Sequence, residues 1–153
     1  MAAEKKYFGH SPVAVLADNK AFPNNSTAKA DAMCYVGSGD KTNLKIKIYC
    51  NDEVTLDENE EISFDLHGFA TDTIGSAVDI MAARGTQWAD SFYRIGLLHG
   101  ISGNSTIPAG SLLFECPIPM EILKANGHKY ITVAATTTGT YAGHEYTAIV
   151  VID

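Results

Sequence analysis

The segment Leu44-Lys45-Ile46-Lys47-Ile48-Tyr49-Cys50 constrains this chain most, because apolar and charged side chains alternate along it. Successive strand residues point to opposite faces, so Leu44, Ile46, Ile48 and Cys50 share one face of a sheet. A helix would scatter them around its circumference. Ile62, Phe64 and Leu66 alternate in the same way with Ser63, Asp65 and His67. Both segments are predicted strands with one buried and one wet face, and Val133 joins the expected core from a third.

Further strands are predicted at Ala28 to Val36, Phe92 to His99, Leu112 to Cys116, Lys129 to Ala135 and Glu145 to Ile152. Pro117 and Pro119 should end the third of these segments, since proline cannot donate to a sheet ladder. About seven short strands separated by Gly, Pro, Asn and Asp turns predict an all-β protein, a single antiparallel β-sandwich or barrel with at most one short helix. The one ambiguous stretch is Ile74 to Ala82. Ile74, Ala77, Val78 and Met81 have helical spacing, Thr73 can cap the start and Gly85 can stop it, yet Val78, Ile80 and Ala82 alternate. It reads either as a short helix or as an irregular crossover. No repeat or linker divides the chain, and residues 26–153 are read as the sandwich. Residues 1–25, with Pro12 and Pro23 and few strand signals, are read as an N-terminal arm or extended segment, or a merely wrapped terminus.

With 153 residues, a domain buries roughly 68–70% of its unfolded surface, enough for an unaided core. Charged residues are only 19% of the chain and the formal net charge is −7, with no basic run. Nucleic acid is therefore a poor partner, because phosphates need Lys and Arg to neutralise them. No apolar run approaches the roughly 20 residues of a membrane span, so no membrane is expected, and no signal peptide is expected at Met1 to Gly9. Cys34, Cys50 and Cys116 read as reduced, buried thiols of a protein made in a cytosol.

The search for chemistry yields little. Gly37-Ser38-Gly39-Asp40-Lys41-Thr42 lacks the glycine before the lysine and sits between strands, so it reads as a turn and not a phosphate loop. The acidic run Asp52, Glu53, Asp57, Glu58, Glu60, Glu61 lacks the alternation and central glycine of a calcium loop. His10, His67, His99, His128 and His144 are widely spaced. No nucleophile setting is recognisable, so no enzyme activity and no cofactor are expected. Trp88, Phe92 and Tyr93 read as core anchors or, alternatively, as an exposed cluster suited to sugar stacking or a protein contact.

The order Ile107-Pro108-Ala109-Gly110-Ser111-Leu112-Leu113-Phe114-Glu115-Cys116-Pro117-Ile118-Pro119, Lys129-Tyr130-Ile131-Thr132-Val133, Thr138-Gly139-Thr140-Tyr141-Ala142-Gly143 and Ala148-Ile149-Val150-Val151 resembles the small β-sandwich cement or decoration proteins of tailed bacteriophage heads. Phe8-Gly9, Ser11-Pro12-Val13-Ala14 and Leu16-Ala17-Asp18 fit it loosely. Lys129, where such proteins often have arginine, and the stretch from Gly68 to Asp90 depart from it. The resemblance implies a jelly-roll-like fold, a homotrimer on the outer capsid surface of the virion, contact with the major capsid protein and stabilisation of the shell. The candidate subunit contacts are Thr138, Gly139, Thr140, Tyr141, Trp88 and Tyr93, the first four in a neutral hairpin rich in small polar groups. The alternative function is a carbohydrate-binding or adhesive sandwich that stacks sugars on Trp88, Tyr93 or Tyr141.

Overall fold

In the computed structural model, which describes residues 7–10, 12–37, 43–69, 92–100, 105–125, 127–139, 141 and 143–152, the two alternating segments lie in different sheets. They are β4 (Leu44–Cys50) and β6 (Glu61–Phe69). The other strands are β1 (Ala14–Ala21), β2 (Thr27–Lys29), β3 (Cys34–Tyr35), β5 (Val54–Leu56), β7 (Phe92–His99), β8 (Ser105–Ile107), β9 (Leu112–Pro117), β10 (Tyr130–Thr137) and β11 (Glu145–Ile152). One sheet runs β1-β11-β4-β9 and the other β2-β10-β6-β7, with β3 also on β10, while β5 and β8 form a small ribbon. Every pairing among the described residues is antiparallel. With β2 and β3 taken as one interrupted strand, this is the strand order of a jelly roll.

The inner faces of the two sheets supply the core. Leu44, Ile46 and Ile48 from one sheet and Ile62, Phe64, Leu66 and Val133 from the other are all buried, as their alternation predicts. Phe64 lies edge-on to Tyr146 at 5.0 Å and to Phe114 at 5.8 Å, which fills the middle with aromatic area. Cys34, Cys50 and Cys116 are buried and in no disulfide, in keeping with their reading as small hydrophobes. β9 stops at Pro117, and one short helix follows, α1 (Met120–Ala125). Gly127 closes it in the left-handed region (φ 71), with its amide donating to Lys124 and that of His128 to Leu123. Leu123 is buried against Gly68, where a Cβ would overlap Leu123 and His128.

Four expectations need correction or relocation. The strand predicted at Ala28 to Val36 is broken into β2 and β3. Between them the Ala32 amide donates to the Leu16 carbonyl of the opposite sheet at 3.1 Å, so the chain spends this stretch joining the two sheets. The predicted arm at 1–25 is, from Ala14 onward, part of the sandwich: β1 pairs with β11, and Leu16, Ala17 and Phe22 enter the core. The wet face expected for β6 is not wet, since Ser63, Asp65 and His67 are buried. β6 is flanked on both sides, and Arg94 of β7 reaches across to Asp65 at 2.5 Å. The segment Ile74 to Ala82 lies outside the described residues, and the one helix described falls at α1, where none was predicted.

Candidate functional site

The turn between β10 and β11 is built inward. The Thr138 amide donates to the Glu61 carbonyl at 3.0 Å, and its hydroxyl accepts from the Glu61 amide at 2.8 Å. The Gly139 carbonyl accepts from the Asn25 amide at 2.9 Å, and a Cβ at Gly139 would overlap the Glu60 carboxylate. The Thr137 hydroxyl donates to the Pro23 carbonyl at 2.5 Å, and the Tyr141 amide donates to Asn24 Oδ1 at 2.8 Å. The Tyr141 ring is only 3% exposed and packs 6.1 Å from Phe22. Burial, followed by the nearby Glu60 and Asp57 carboxylates, pushes its phenol up to about 12.

These contacts correct the proposed role of the hairpin. Thr138 is exposed, but Gly139 and Tyr141 are buried within the chain and cannot form a surface for a partner or a stacked sugar. Small neutral residues are needed here because the turn packs against the 22–26 segment and the β5–β6 turn. Thr140 and Trp88 lie outside the described residues. Tyr93 is an exposed residue of β7, so of the named candidates Thr138 and Tyr93 remain on the surface.

The acidic run is likewise used locally. Asp52 accepts from the Glu145 amide at 3.0 Å and Glu60 from the Asp57 amide at 2.7 Å, so each secures a turn. Among the described residues no group of three or more His, Cys, Asp or Glu side chains converges as a metal site would require. No helix among them is long and apolar enough to cross a membrane.

What the fold does expose is a few apolar side chains on two of its end strands. β7 and β9 are the outermost described strands of their sheets and meet on one side of the sandwich, where Phe114 sits over Gly96 so closely that a Cβ there would overlap the ring. Tyr93 and Leu97 on β7 and Leu112 on β9 are exposed, Leu97 opposite Ser63 on the outer face of its sheet and Leu112 opposite Tyr49 on the outer face of the other. Leu97 and Leu112 were missed from sequence, although a signal existed. Leu97-Leu98 and Leu112-Leu113 are adjacent pairs on strands, so only one leucine of each pair can face inward. Leu98 and Leu113 pack on the core, and their neighbours are left outside.

Comparison of the chain with protein-family models, with characterised proteins and with solved structures gives no match.

Proposed function

We propose that this protein is a structural component of a bacteriophage virion, a decoration or cement protein that binds the outer surface of the head and stabilises the shell. The observation that carries this reading is that β7 and β9, the outermost described strands of a jelly roll, bear the exposed apolar side chains Tyr93, Leu97 and Leu112. Exposed strand edges with apolar side chains invite pairing, and an ordinary monomer blunts them with charge. The partners are the major capsid protein and further copies of the chain, and a homotrimer follows from the family resemblance. A cement stabilises by mass action, since it binds the assembled lattice and not free subunits.

The test is to add purified protein to heads that lack it, then measure co-sedimentation and the temperature at which DNA is released. Stoichiometric binding and later release are expected. Leu97→Asp with Leu112→Asp should lose binding while the β circular dichroism is kept. Failure of the wild-type protein to co-sediment would end the proposal.

A second reading, glycan binding, is supported by Tyr35, which is 53% exposed and meets Tyr130 edge-on at 5.2 Å. With Tyr141 buried, Tyr35 and Tyr93 become its stacking candidates. Glycan-array binding lost in Tyr35→Ala would favour it.

A further inference from the structure

On the face of the β1-β11-β4-β9 sheet turned away from the core, Tyr7 to His10 form a tight hairpin. The Tyr7 amide donates to the His10 carbonyl at 2.9 Å, and the His10 amide to the Tyr7 carbonyl at 2.8 Å. The two central residues are left-handed, Phe8 with φ 51 and Gly9 with φ 86, as a type I′ turn requires. Gly9 takes this conformation freely, but a phenylalanine rarely does. Phe8 must be held there, and what holds it is Tyr49 of β4: the rings stack with centroids 4.2 Å apart and planes within 2°. Beneath them Tyr49, Ile149 and Val151 form an apolar cluster of their own, against which Tyr7 and Val15 pack.

The last residue of the hairpin pins it down. His10 Nε2 lies 3.1 Å from the Tyr49 hydroxyl and 3.4 Å from Lys47 Nζ. An ammonium has only N–H groups to offer, so Nε2 facing Lys47 presents a lone pair and the ring proton sits on Nδ1. Among the described residues, the charged groups around His10 are engaged with one another or with Tyr7. On β9, Glu115 accepts from Lys45 at 2.8 Å and lies 3.6 Å from Lys47, and on β1 the Asp18 carboxylate accepts from the Tyr7 hydroxyl at 3.4 Å. The Lys45 hydrogen bond holds the Glu115 carboxyl below its ordinary range, so this anion stays with the lysines.

We propose that the hairpin is a proton-operated latch: neutral His10 keeps it closed on Tyr49 and Lys47, and protonated His10 releases it and uncovers the Tyr49–Ile149–Val151 patch. Protonation places a hydrogen on Nε2, turning an acceptor that faces Lys47 into a donor and setting two like charges against each other. The Tyr49 hydroxyl can still accept from the imidazolium, but the Lys47 contact is lost. The strained backbone of Phe8 then favours opening. Imidazole is the side chain whose charge changes in the mildly acidic range, which suits it to such a device. The inference uses nothing from the proposed head-binding role and stands or falls separately.

The experiment follows the Phe8 and Tyr49 ring resonances and the amide exchange of Tyr7 and His10 by nuclear magnetic resonance, between about pH 8 and about pH 5. In the full wild-type chain the two rings should lose their mutual ring-current shifts on acidification. Hairpin amide protection, corrected for intrinsic exchange, should fall about tenfold or more, the scale of losing one hydrogen bond. Core amides such as Val133 and Ala148 should hold. His10→Gln, whose side-chain carbonyl accepts at every pH, should stay closed throughout. Lys47→Met removes the opposing cation and should shrink the drop, which decides the matter if His10→Gln is already open at the higher pH. The latch is overturned by rings still stacked at the lower pH, by His10→Gln opening with the wild-type profile, by an undiminished drop in Lys47→Met, or by hairpin and core losing protection together.

Discussion

The turn carrying Thr138, Gly139 and Tyr141 and the hairpin from Tyr7 to His10 are alike in composition. Each is short, contains glycine and presents an aromatic ring. The first sits at the end of the sandwich between the last two strands, so its ring drops between the sheets beside Phe22 and its polar groups bond to the chain segments around it. The second lies on the outer face of one sheet, so its ring can only stack flat on Tyr49 and remains 39% exposed. Their difference lies in placement relative to the two sheets. The same kind of residue is a core element in one turn and a surface clasp in the other.

The contrast breaks most visibly at Tyr141. Tyr141→Ala removes a buried ring and should destabilise by about 3–5 kcal/mol in urea unfolding, the usual range for truncating a core aromatic; a loss as small as that of Phe8→Ala would refute the distinction. Thr137→Val should come next, at about 1–3 kcal/mol, because it leaves the Pro23 carbonyl without the donor 2.5 Å away. Alkaline unfolding probes the same turn. Tyr141 ionises near 12 when folded and at its ordinary value of 10.0 when unfolded, so above about pH 10 the unfolded chain binds fewer protons than the native one. Stability should therefore be full below that pH, fall as pH rises towards about 12, and fall less steeply in Tyr141→Phe.

Phe8→Ala should cost about 0.5–1.5 kcal/mol, the scale of one aromatic pair, and leave the urea dependence of the core unchanged. The smallest expected effect has the opposite sign. The Tyr146 hydroxyl is buried with no hydrogen-bond partner among the described residues, so Tyr146→Phe should be neutral or stabilise by up to about 1 kcal/mol, measurable as an unchanged or raised urea midpoint.

The strands were legible where one face had to be buried. β4, β7 and β11 begin and end where alternation and turn residues predict, and β9 runs to its proline. β1 was not legible: Ala14 to Ala21 contains Asp18, Asn19 and Lys20, and its pairing with β11 is irregular at two places. Only tertiary contact makes such a sequence a strand. The candidate site fared worse. Its hairpin was chosen for neutrality, but a neutral loop satisfies its polar groups equally well against its own chain or a partner's.

By itself the sequence determined that the chain is all-β and antiparallel, and which side of β4 and β6 faces the core, because period two is a property of the strand alone. The tertiary structure decided what covers each face and edge of the two sheets. It buried the outer face of β6, drew Tyr141 inward, left Leu97 and Leu112 outside and laid the Tyr7–His10 hairpin across Tyr49. Each of these depends on which residues, distant in sequence, come to lie opposite, and side-chain periodicity carries no record of that.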